Sequence, residues 1–366
     1  MSKEAAGIIV IVLSFVAIGI VMTYSASGIY ADQVMGSPTY FLIRQISFFF
    51  IGVVFMTFFS LIDPNFLQRH SRLIILLAIF LLVAVYLPFI SQTTRGTKRW
   101  LKIFGVNFQP AEFSKLALCI YFSDYLSRHM KKIARGSFLI FIPPLIILFI
   151  ISILILIQPD LGTIVILFLI SAILFFLSGI RQRYIWFFFL IGIFVSYFAI
   201  IKVPYRVQRI IAYINPWSDP KGSGFQIIQS FLALSSGGFS GVGLGQSTQK
   251  LFYLPQSYTD FIFSIIGEEL GFIGSSLVVT LFLLFFILGL RIVQRQYEPF
   301  KKLLSLSLVL LIVIQVVINI LVTTGLLPTK GLPLPFISYG GSSLIMNMIA
   351  VGILISIDRI HFRYKR

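Results

Sequence analysis

Five carboxylate side chains lie in or beside strongly apolar segments of this 366-residue chain: Glu112, Asp160, Asp260, Glu268 and Glu269. An ionisable group at membrane depth is costly unless it is paired or lines a water-filled cavity, so each is a candidate functional residue. Partial desolvation makes a carboxylate more basic, which suits it to accept a proton near neutral pH. We therefore expect an acid–base site near one face of a membrane.

Asp260 is the strongest candidate for that chemistry. Because residues 270–290 alone are long enough to span a bilayer, segment 260–269 is predicted to be an outer extension or a re-entrant helix beside a cavity. The alternative is that Asp260 only caps this helix, since Asp is favoured at that position. Glu268 and Glu269 are predicted to stabilise the helix or to bind the glycine-rich segment that precedes them.

Glu112 and Asp160 have structural roles that compete with a functional one. Glu112 and Lys115 are spaced i, i+3 on one predicted helix and can pair. Pro110 suits the first turn of that helix, which places Glu112 near the positive end of its dipole. Asp160 stands directly before an apolar helix, where it can act as the N-cap. A cap and a substrate contact are compatible roles for Asp160.

Membrane-spanning helices must position these residues. The chain is 58% hydrophobic and 11% charged, whereas a soluble domain has about 25% charged residues. Its continuous apolar runs predict helices rather than barrel strands, which alternate with a period of two. The predicted fold class is all-α, a single polytopic membrane domain over residues 1–366. The ten predicted spans are 6–26, 45–62, 73–91, 109–126, 138–157, 162–180, 184–201, 270–290, 303–323 and 342–358.

The distribution of charge predicts the orientation. Ten spans place both termini on one side, and more lysines and arginines fall on that side than on the other, so both termini are predicted to be cytoplasmic. The outer segments 91–108 and 202–259 are also basic in this chain of net charge +17. A polyanionic ligand on the outer face would explain them, and solvated loop charge is the alternative.

Two irregular segments are predicted to shape the site. Residues 202–269 form a long extracellular loop with a predicted helix at 225–235 and a glycine run at 237–245. No strand or βαβ unit accompanies the run, so it is not a dinucleotide fingerprint. It is either a flexible turn or an anion nest. Residues 319–343 are rich in proline and glycine, and irregular backbone at membrane depth must be buried by protein or line a cavity.

Other site types are disfavoured. The single Cys119 excludes an intrachain disulfide. The histidines His70, His129 and His361 are far apart and lie in predicted cytoplasmic segments, which argues against a histidine metal site or a Ser-His-Asp triad. No nucleic-acid partner is expected.

A series of motifs, in this order, resembles the SEDS family (shape, elongation, division and sporulation) of ten-helix bacterial membrane proteins nearly from end to end. Within the family, the segments 215–217, 245–250 and 328–331 are more similar to the division type, FtsW, than to the elongation type, RodA; the sporulation members are close to the division type. The motifs are MTYSAS at 22–27, TRG at 94–96, KRW at 98–100, QPAEFSK at 109–115, QPDLGT at 158–163, NPWSDPKGSGFQIIQS at 215–230, GLGQSTQKLFYLPQSYTDFIFSIIGEELGFIG at 243–274 and PTKGLPLPFISYGGSS at 328–343.

The resemblance implies a peptidoglycan glycosyltransferase of the bacterial cytoplasmic membrane. Such a protein polymerises lipid II into glycan strands on the outer face during cell division, beside a class B penicillin-binding protein and other divisome proteins. Carried over by motif, Asp260 would be the essential carboxylate. Glu112, Lys115 and Asp160 would be supporting intramembrane charges, and Ser338 a further substrate-binding position.

The implied chemistry is proton transfer with a charged leaving group. Asp260 would accept the proton of the 4-hydroxyl of a GlcNAc acceptor as the bond forms. The donor sugar would leave, with inversion, as undecaprenyl pyrophosphate, which needs positive charge beside it. A divalent cation, Mg or Mn, could contribute, and no other cofactor is expected. The candidate cations are Arg44, Arg99, Lys115, Arg206, Lys250 and Lys330.

Two other functions fit parts of the pattern. A lipid II flippase would also need many helices and buried charges, but it should place those charges along the whole path rather than towards one face. A non-catalytic scaffold for a penicillin-binding protein would not need Asp260. Transfer of substrate between leaflets in vesicles tests the first, and growth of an Asp260→Ala strain tests the second.

Overall fold

The computed structural model describes residues 2–87, 91–94, 97–103, 106–134, 138–180, 204–251 and 253–364. Helices dominate these ranges, which confirms the predicted all-α polytopic membrane fold. They are α1 (Lys3–Met35), α2 (Tyr40–Leu61), α3 (Pro64–Arg69), α4 (Ser71–Ala84), α5 (Pro110–Ala134), α6 (Ile142–Ile157), α7 (Leu161–Leu177), α8 (Pro204–Ile214), α9 (Phe225–Ser236), α10 (Ile262–Arg295), α11 (Pro299–Thr323) and α12 (Gly341–Tyr364), with 3-10 turns at Phe138–Phe141 and Pro216–Ser218.

Local sequence signals set several helix ends. The Ser2 side chain accepts a hydrogen bond from the backbone N–H of Ala5 and caps α1, which ends at Gly36 in the left-handed conformation (φ 72°). Asp63 caps α3 in the same way through the N–H of Asn65. These polar caps satisfy backbone groups that the helices themselves leave unpaired.

Six stretches of described helix are long and apolar enough to cross a membrane. They lie in α1, α2, residues 139–157 (which include α6), α10, α11 and α12. The helix α5 is also 25 residues long, but its charged residues lower its hydropathy. The predicted seventh span, 184–201, lies outside the described residues. The predicted third span, 73–91, is longer than the observed α4, because the chain leaves the helix and enters a small sheet.

The segment between α4 and α5 contains a three-stranded antiparallel sheet that the sequence analysis did not predict. Its strands are β1 (Ser91–Thr94), β2 (Thr97–Ile103) and β3 (Val106–Phe108), in the order β1-β2-β3. On β2, Leu101 is buried against Ala84 and Val85 at the end of α4. This contact anchors the sheet on the helix bundle.

The loop between α11 and α12 lies inside the bundle. Residues 328–339, called here the proline loop, include buried side chains such as Leu332, Phe336 and Ile337. A Cβ atom on Gly19 of α1 would lie 2.7 Å from the carbonyl oxygen of Ile337, and one on Gly162 of α7 would lie 2.7 Å from the side chain of Leu332. The two glycines therefore let α1 and α7 approach this loop closely.

The two ends of the chain meet at one end of the bundle. The backbone N–H of Ser2 donates to the carboxylate of Asp358 on α12, and Glu4 forms a bidentate pair with Arg295 at the end of α10. Both termini therefore lie on the same side, as an even number of spans requires.

Candidate active site

Asp260 lies in the turn directly before α10, and its side chain is half-buried. The N-cap position of α10 is Phe261, the residue directly after Asp260. A Cβ atom on Gly331 would lie 3.2 Å from Asp260 Oδ2. The carboxylate therefore rests against the backbone of the proline loop.

Ser338 joins the far end of the proline loop to the turn that carries Asp260. Its hydroxyl donates to the carbonyl of Thr259 and accepts from the backbone N–H of Leu334 at 2.8 Å. The N–H of Tyr339 donates to the carbonyl of Tyr258 at 3.0 Å. Ser338, predicted to bind substrate, thus contributes directly to the architecture around Asp260.

Glu112 and Lys115 form the predicted ion pair on α5, with 2.8 Å between Lys115 Nζ and Glu112 Oε1 and both side chains buried. Lys115 also donates to Gln315 Oε1 on α11 at 2.7 Å. The amide nitrogen of Gln315 in turn donates to the carbonyl of Pro333 at 2.8 Å. The pair is therefore connected to the proline loop through one glutamine.

Asp160 caps α7, as one of the two roles weighed for it predicts. Its carboxylate accepts from the N–H of Thr163 at 3.1 Å and from the Thr163 hydroxyl at 2.8 Å. Arg99, on β2, donates to the carbonyls of Gln158 and Pro159 at 2.6 and 2.9 Å. Arg99 and Asp160 thus hold the turn between α6 and α7, directly before the part of α7 that packs on the proline loop.

Lys250 belongs to a second buried cluster. The cluster lies near Glu268 and Glu269, at the end of the first part of α10, which runs from Ile262 to a break at Gly271. Its Nζ lies 3.1 Å from Glu269 Oε1 and also donates to the carbonyl of Gly245 at 2.6 Å. The hydroxyl of Ser25, on α1, donates to Glu269. The charge of Lys250 is therefore matched by a buried carboxylate.

Glu268 completes this cluster. Its carboxylate accepts from the hydroxyl of Ser247 and from the N–H and hydroxyl of Thr248 at 2.9 and 3.0 Å. The carbonyls of Glu268 and Glu269 each accept a backbone hydrogen bond at 3.0 Å, from Val242 and Gly243. The prediction that the two glutamates bind the glycine-rich segment is confirmed.

The glycine run pairs with the backbone groups that a break in α10 leaves without helical partners. Gly271 has φ 66° and ψ −160°, which interrupts the helix, and the N–H groups of Phe272 and Ile273 donate to the carbonyls of Gly238 and Phe239. A Cβ atom on Gly241 would lie 2.2 Å from the carbonyl oxygen of Glu269. The run therefore needs glycine for close backbone contact, and the N–H groups of Val242 and Gly243 bind helix carbonyls rather than an anion.

Three candidate cations remain. Lys330, next to Gly331, is half-buried and forms no ion pair with the part of the chain that the structure describes. Burial lowers the pKa of its ammonium group from the usual 10.5. Arg44 is exposed, and its guanidinium carbon lies 4.5 Å from the centre of the Tyr40 ring. The side chain of Arg206, on α8, lies outside the described residues.

Among the residues that hold the proline loop, the sequence analysis missed Gln315, described above, and Arg209. The guanidinium of Arg209, on α8, donates to the carbonyl of Thr329 at 2.9 Å. Gln315 is polar and lies within an apolar helix, which is a usable signal because such residues need a partner at membrane depth. Nothing in the local sequence of Arg209 distinguishes it from a solvated loop cation.

The site offers acid–base chemistry beside positive charge. Within the described ranges, no group of three or more His, Cys, Asp or Glu side chains could hold a metal ion. The half-buried carboxylate of Asp260 lies against Gly331, and the half-buried Lys330 directly precedes Gly331 in the chain. The first can accept a proton, and the second can stabilise an anion.

The fold is that of known polytopic membrane proteins. A chain of a peptidoglycan synthase complex, described as coordinating polymerization and crosslinking, matches with a TM-score of 0.77 at 24% identity over 98% of each chain. The rod shape determining protein RodA of Thermus thermophilus matches with a TM-score of 0.70 at 22% identity over 97% of each chain. At these identities the likeness establishes the fold class.

Sequence comparison defines the family. The model of the family described as "Cell cycle protein", which covers FtsW, RodA and SpoVE, matches residues 5–362. A probable peptidoglycan glycosyltransferase FtsW of Geobacter sulfurreducens is 41% identical over 96% of this chain and 94% of the relative. Stage V sporulation protein E of Bacillus subtilis is 41% identical over 96% of both chains. The chain belongs to the FtsW/RodA/SpoVE family, as its motifs predicted.

Proposed function

We propose that the protein is a peptidoglycan glycosyltransferase that polymerises lipid II on the outer face of the bacterial cytoplasmic membrane during cell division. The observation that carries the proposal is the placement of Asp260, a half-buried carboxylate held against the proline loop. Its setting within a family whose relatives include probable peptidoglycan glycosyltransferases supports it. Both termini would be cytoplasmic, which places the Asp260 end of the bundle outside.

Asp260 is proposed as the general base. The 4-hydroxyl of the GlcNAc acceptor is far too weak an acid to attack unaided at neutral pH, so a base must take its proton as the new C–O bond forms. Proton transfer of this kind contributes about 10²–10⁴-fold. Asp260 is suited to it because its half-buried carboxylate lies against the proline loop and the hydroxyl of Ser338 bonds the turn that carries it.

Lys330 is the best placed of the candidate cations for the pyrophosphate leaving group. Lys115 and Lys250 are paired with Glu112 and Glu269, and Arg99 is directed at backbone carbonyls. Lys330 lies next to Gly331, which Asp260 touches. A half-buried ammonium group acts on developing negative charge more strongly than one in bulk water. A divalent cation, Mg or Mn, would add to this charge if it enters with the pyrophosphate.

A class B penicillin-binding protein and other divisome proteins are the proposed partners. The support is the likeness to a chain of a peptidoglycan synthase complex. In that arrangement the glycan strand would pass directly from the site at Asp260 to a transpeptidase.

The direct test is polymerisation of fluorescent lipid II by the purified full-length protein in nanodiscs, alone and with its cognate transpeptidase. We expect glycan ladders that lengthen with time and disappear when lipid II is omitted. A wild-type protein that binds lipid II but makes no polymer under either condition would contradict the proposal. Movement of lipid II between leaflets without polymer would identify a flippase instead.

A further inference from the structure

Asn319 joins the turn of Asp260 to the proline loop through one atom. It lies on α11 and is 2% exposed. Its Nδ2 donates to the carbonyl of Asp260 at 2.8 Å and to the carbonyl of Leu332 at 2.7 Å. A side-chain amide nitrogen carries two hydrogens, so Asn319 uses its full donor capacity on these two segments.

The nature of the two acceptors fixes the orientation of the amide. Both are carbonyl oxygens, so only the NH₂ group of Asn319 can face them. Its Oδ1 is buried and has no hydrogen-bond partner among the described residues. An unpaired buried acceptor destabilises the folded state, because it loses its hydrogen bonds to water without replacement. Packing alone would therefore favour an apolar side chain of this size, and the two donated bonds are what distinguishes asparagine at this position.

Gln315 lies four residues earlier, one turn along the same face of α11. It bonds the carbonyl of Pro333, directly after the residue that Asn319 holds, and accepts from Lys115. Two amides on one helix face thus hold two consecutive carbonyls of the proline loop. Of these two amides, Asn319 is the one that also bonds the turn of Asp260.

We propose that Asn319 is a positioning residue for the reaction, and this inference rests on the proposed function. Asn319 sets the separation between Asp260 and the loop that carries Gly331 and Lys330, that is, between the base and the cation for the leaving group. A displacement of about 1 Å in such an arrangement can cost about 10²-fold in rate. The competing role is structural: the amides would only satisfy backbone carbonyls that an irregular segment at membrane depth leaves unpaired.

The kinetic constants separate these roles. We would purify Asn319→Leu, which has a similar size and no donor, and Asn319→Asp, whose protonated form keeps one donor. The matched control is Ser307→Ala, on the same helix, whose hydroxyl bonds only the carbonyl of Leu304. A lipid II binding assay gives the fraction of molecules that are folded and competent to bind. Polymerisation assays then give kcat and KM for that fraction.

A positioning role predicts that Asn319→Leu lowers kcat about 10–100-fold with KM changed less than threefold. Asn319→Asp should fall between Asn319→Leu and the wild type, and Ser307→Ala should match the wild type. If Asn319→Leu does not fold, Asn319→Asp still decides the question. Wild-type kcat per binding-competent molecule in the Asn319 variant that folds would overturn the inference.

The Asp260→Asn variant distinguishes failure of this inference from failure of the proposed function. If Asp260→Asn is inactive while the Asn319 variants keep wild-type kcat, only the positioning role is wrong. If Asp260→Asn is as active as the wild type, the base assigned under the proposed function is wrong, and the positioning role fails with it.

Discussion

The two ends of the first part of α10 use acidic residues in opposite ways. At one end, Asp260 is half-buried, and the side chains of Asn319 and Ser338 hold its turn by donating to the carbonyls of Asp260 and Thr259. At the other end, the side chains of Glu268 and Glu269 are fully buried and take up hydrogen bonds from the glycine-rich segment and Lys250. Burial alone therefore does not separate a structural carboxylate from the one proposed to react. Glu268 and Glu269 are more buried than Asp260, and their hydrogen bonds hold neighbouring segments in place.

Asp260→Asn should give the largest change in activity and almost none in stability. We expect polymerisation to fall about 10²–10⁴-fold, because the amide cannot accept the proton. The thermal midpoint should stay near that of the wild type, because the bond from Asn319 reaches the backbone rather than the side chain. Polymer formation at the wild-type rate would remove Asp260 from the mechanism.

Glu269→Gln should mainly lower stability, in contrast to Asp260→Asn, which should mainly lower activity. It leaves Lys250 buried without its counter-charge, and breaking a buried pair in this way costs about 3–5 kcal/mol. We expect a clear drop in the unfolding midpoint, which Glu269→Gln combined with Lys250→Met should partly restore.

The control is Glu298→Gln, which removes the partner of Lys301 in a pair whose acid is 58% exposed. The Lys301 side chain is buried, but solvent reaches the acid of this pair, so its loss should cost less than that of Glu269, about 0–1 kcal/mol. Equal unfolding midpoints for Glu269→Gln and Glu298→Gln would contradict the structural role of the buried cluster.

Lys330→Ala should lower the rate about 10²–10³-fold, as the loss of one group that stabilises transition-state charge does. Because burial lowers the pKa of Lys330, its ammonium group loses its charge as the pH rises, at a lower pH than an exposed lysine would. Wild-type activity should therefore decline on the alkaline side below pH 10.5.

Lys330→Arg provides the control for this pH dependence. Arginine stays charged throughout the accessible range, so the alkaline decline should move to higher pH or disappear. An identical alkaline limb in the wild type and in Lys330→Arg would assign the decline to another group.

Gly271→Ala tests the break in α10. It should lower the unfolding midpoint less than Glu269→Gln does. The backbone at φ 66° and ψ −160° is essentially restricted to glycine and costs another residue about 1–3 kcal/mol. The new Cβ would also lie 2.3 Å from the backbone nitrogen of Gly241. Gly28→Ala, on α1, is the control, because its nearest neighbours are 3.9 Å away. Equal unfolding midpoints for the two variants would show that the break adapts.

Much of the fold could be predicted because its signals are local. The ion pair between Glu112 and Lys115 follows from helical spacing, the cap at Asp160 from its place before an apolar run, and the helix Phe225–Ser236 from its pattern. The sheet Ser91–Phe108 could not be predicted in this way. Its strands are short, the central strand β2 is basic, and Leu101 is stabilised by contacts with α4 that the chain makes only after folding.

The residue types and their order alone predicted that this chain crosses a membrane as helices, and they made Asp260 the candidate base. A long apolar run in a bilayer must form a helix to pair its backbone groups. A carboxylate within such a run is costly, which makes it a candidate functional residue. The tertiary structure alone decided which segments and side chains surround each acid. Asn319 and Asp260 are 59 residues apart, and Lys250 reaches Glu269 only because the glycine run closes on the broken helix. Such long-range partners depend on how the helices pack, which no local pattern records.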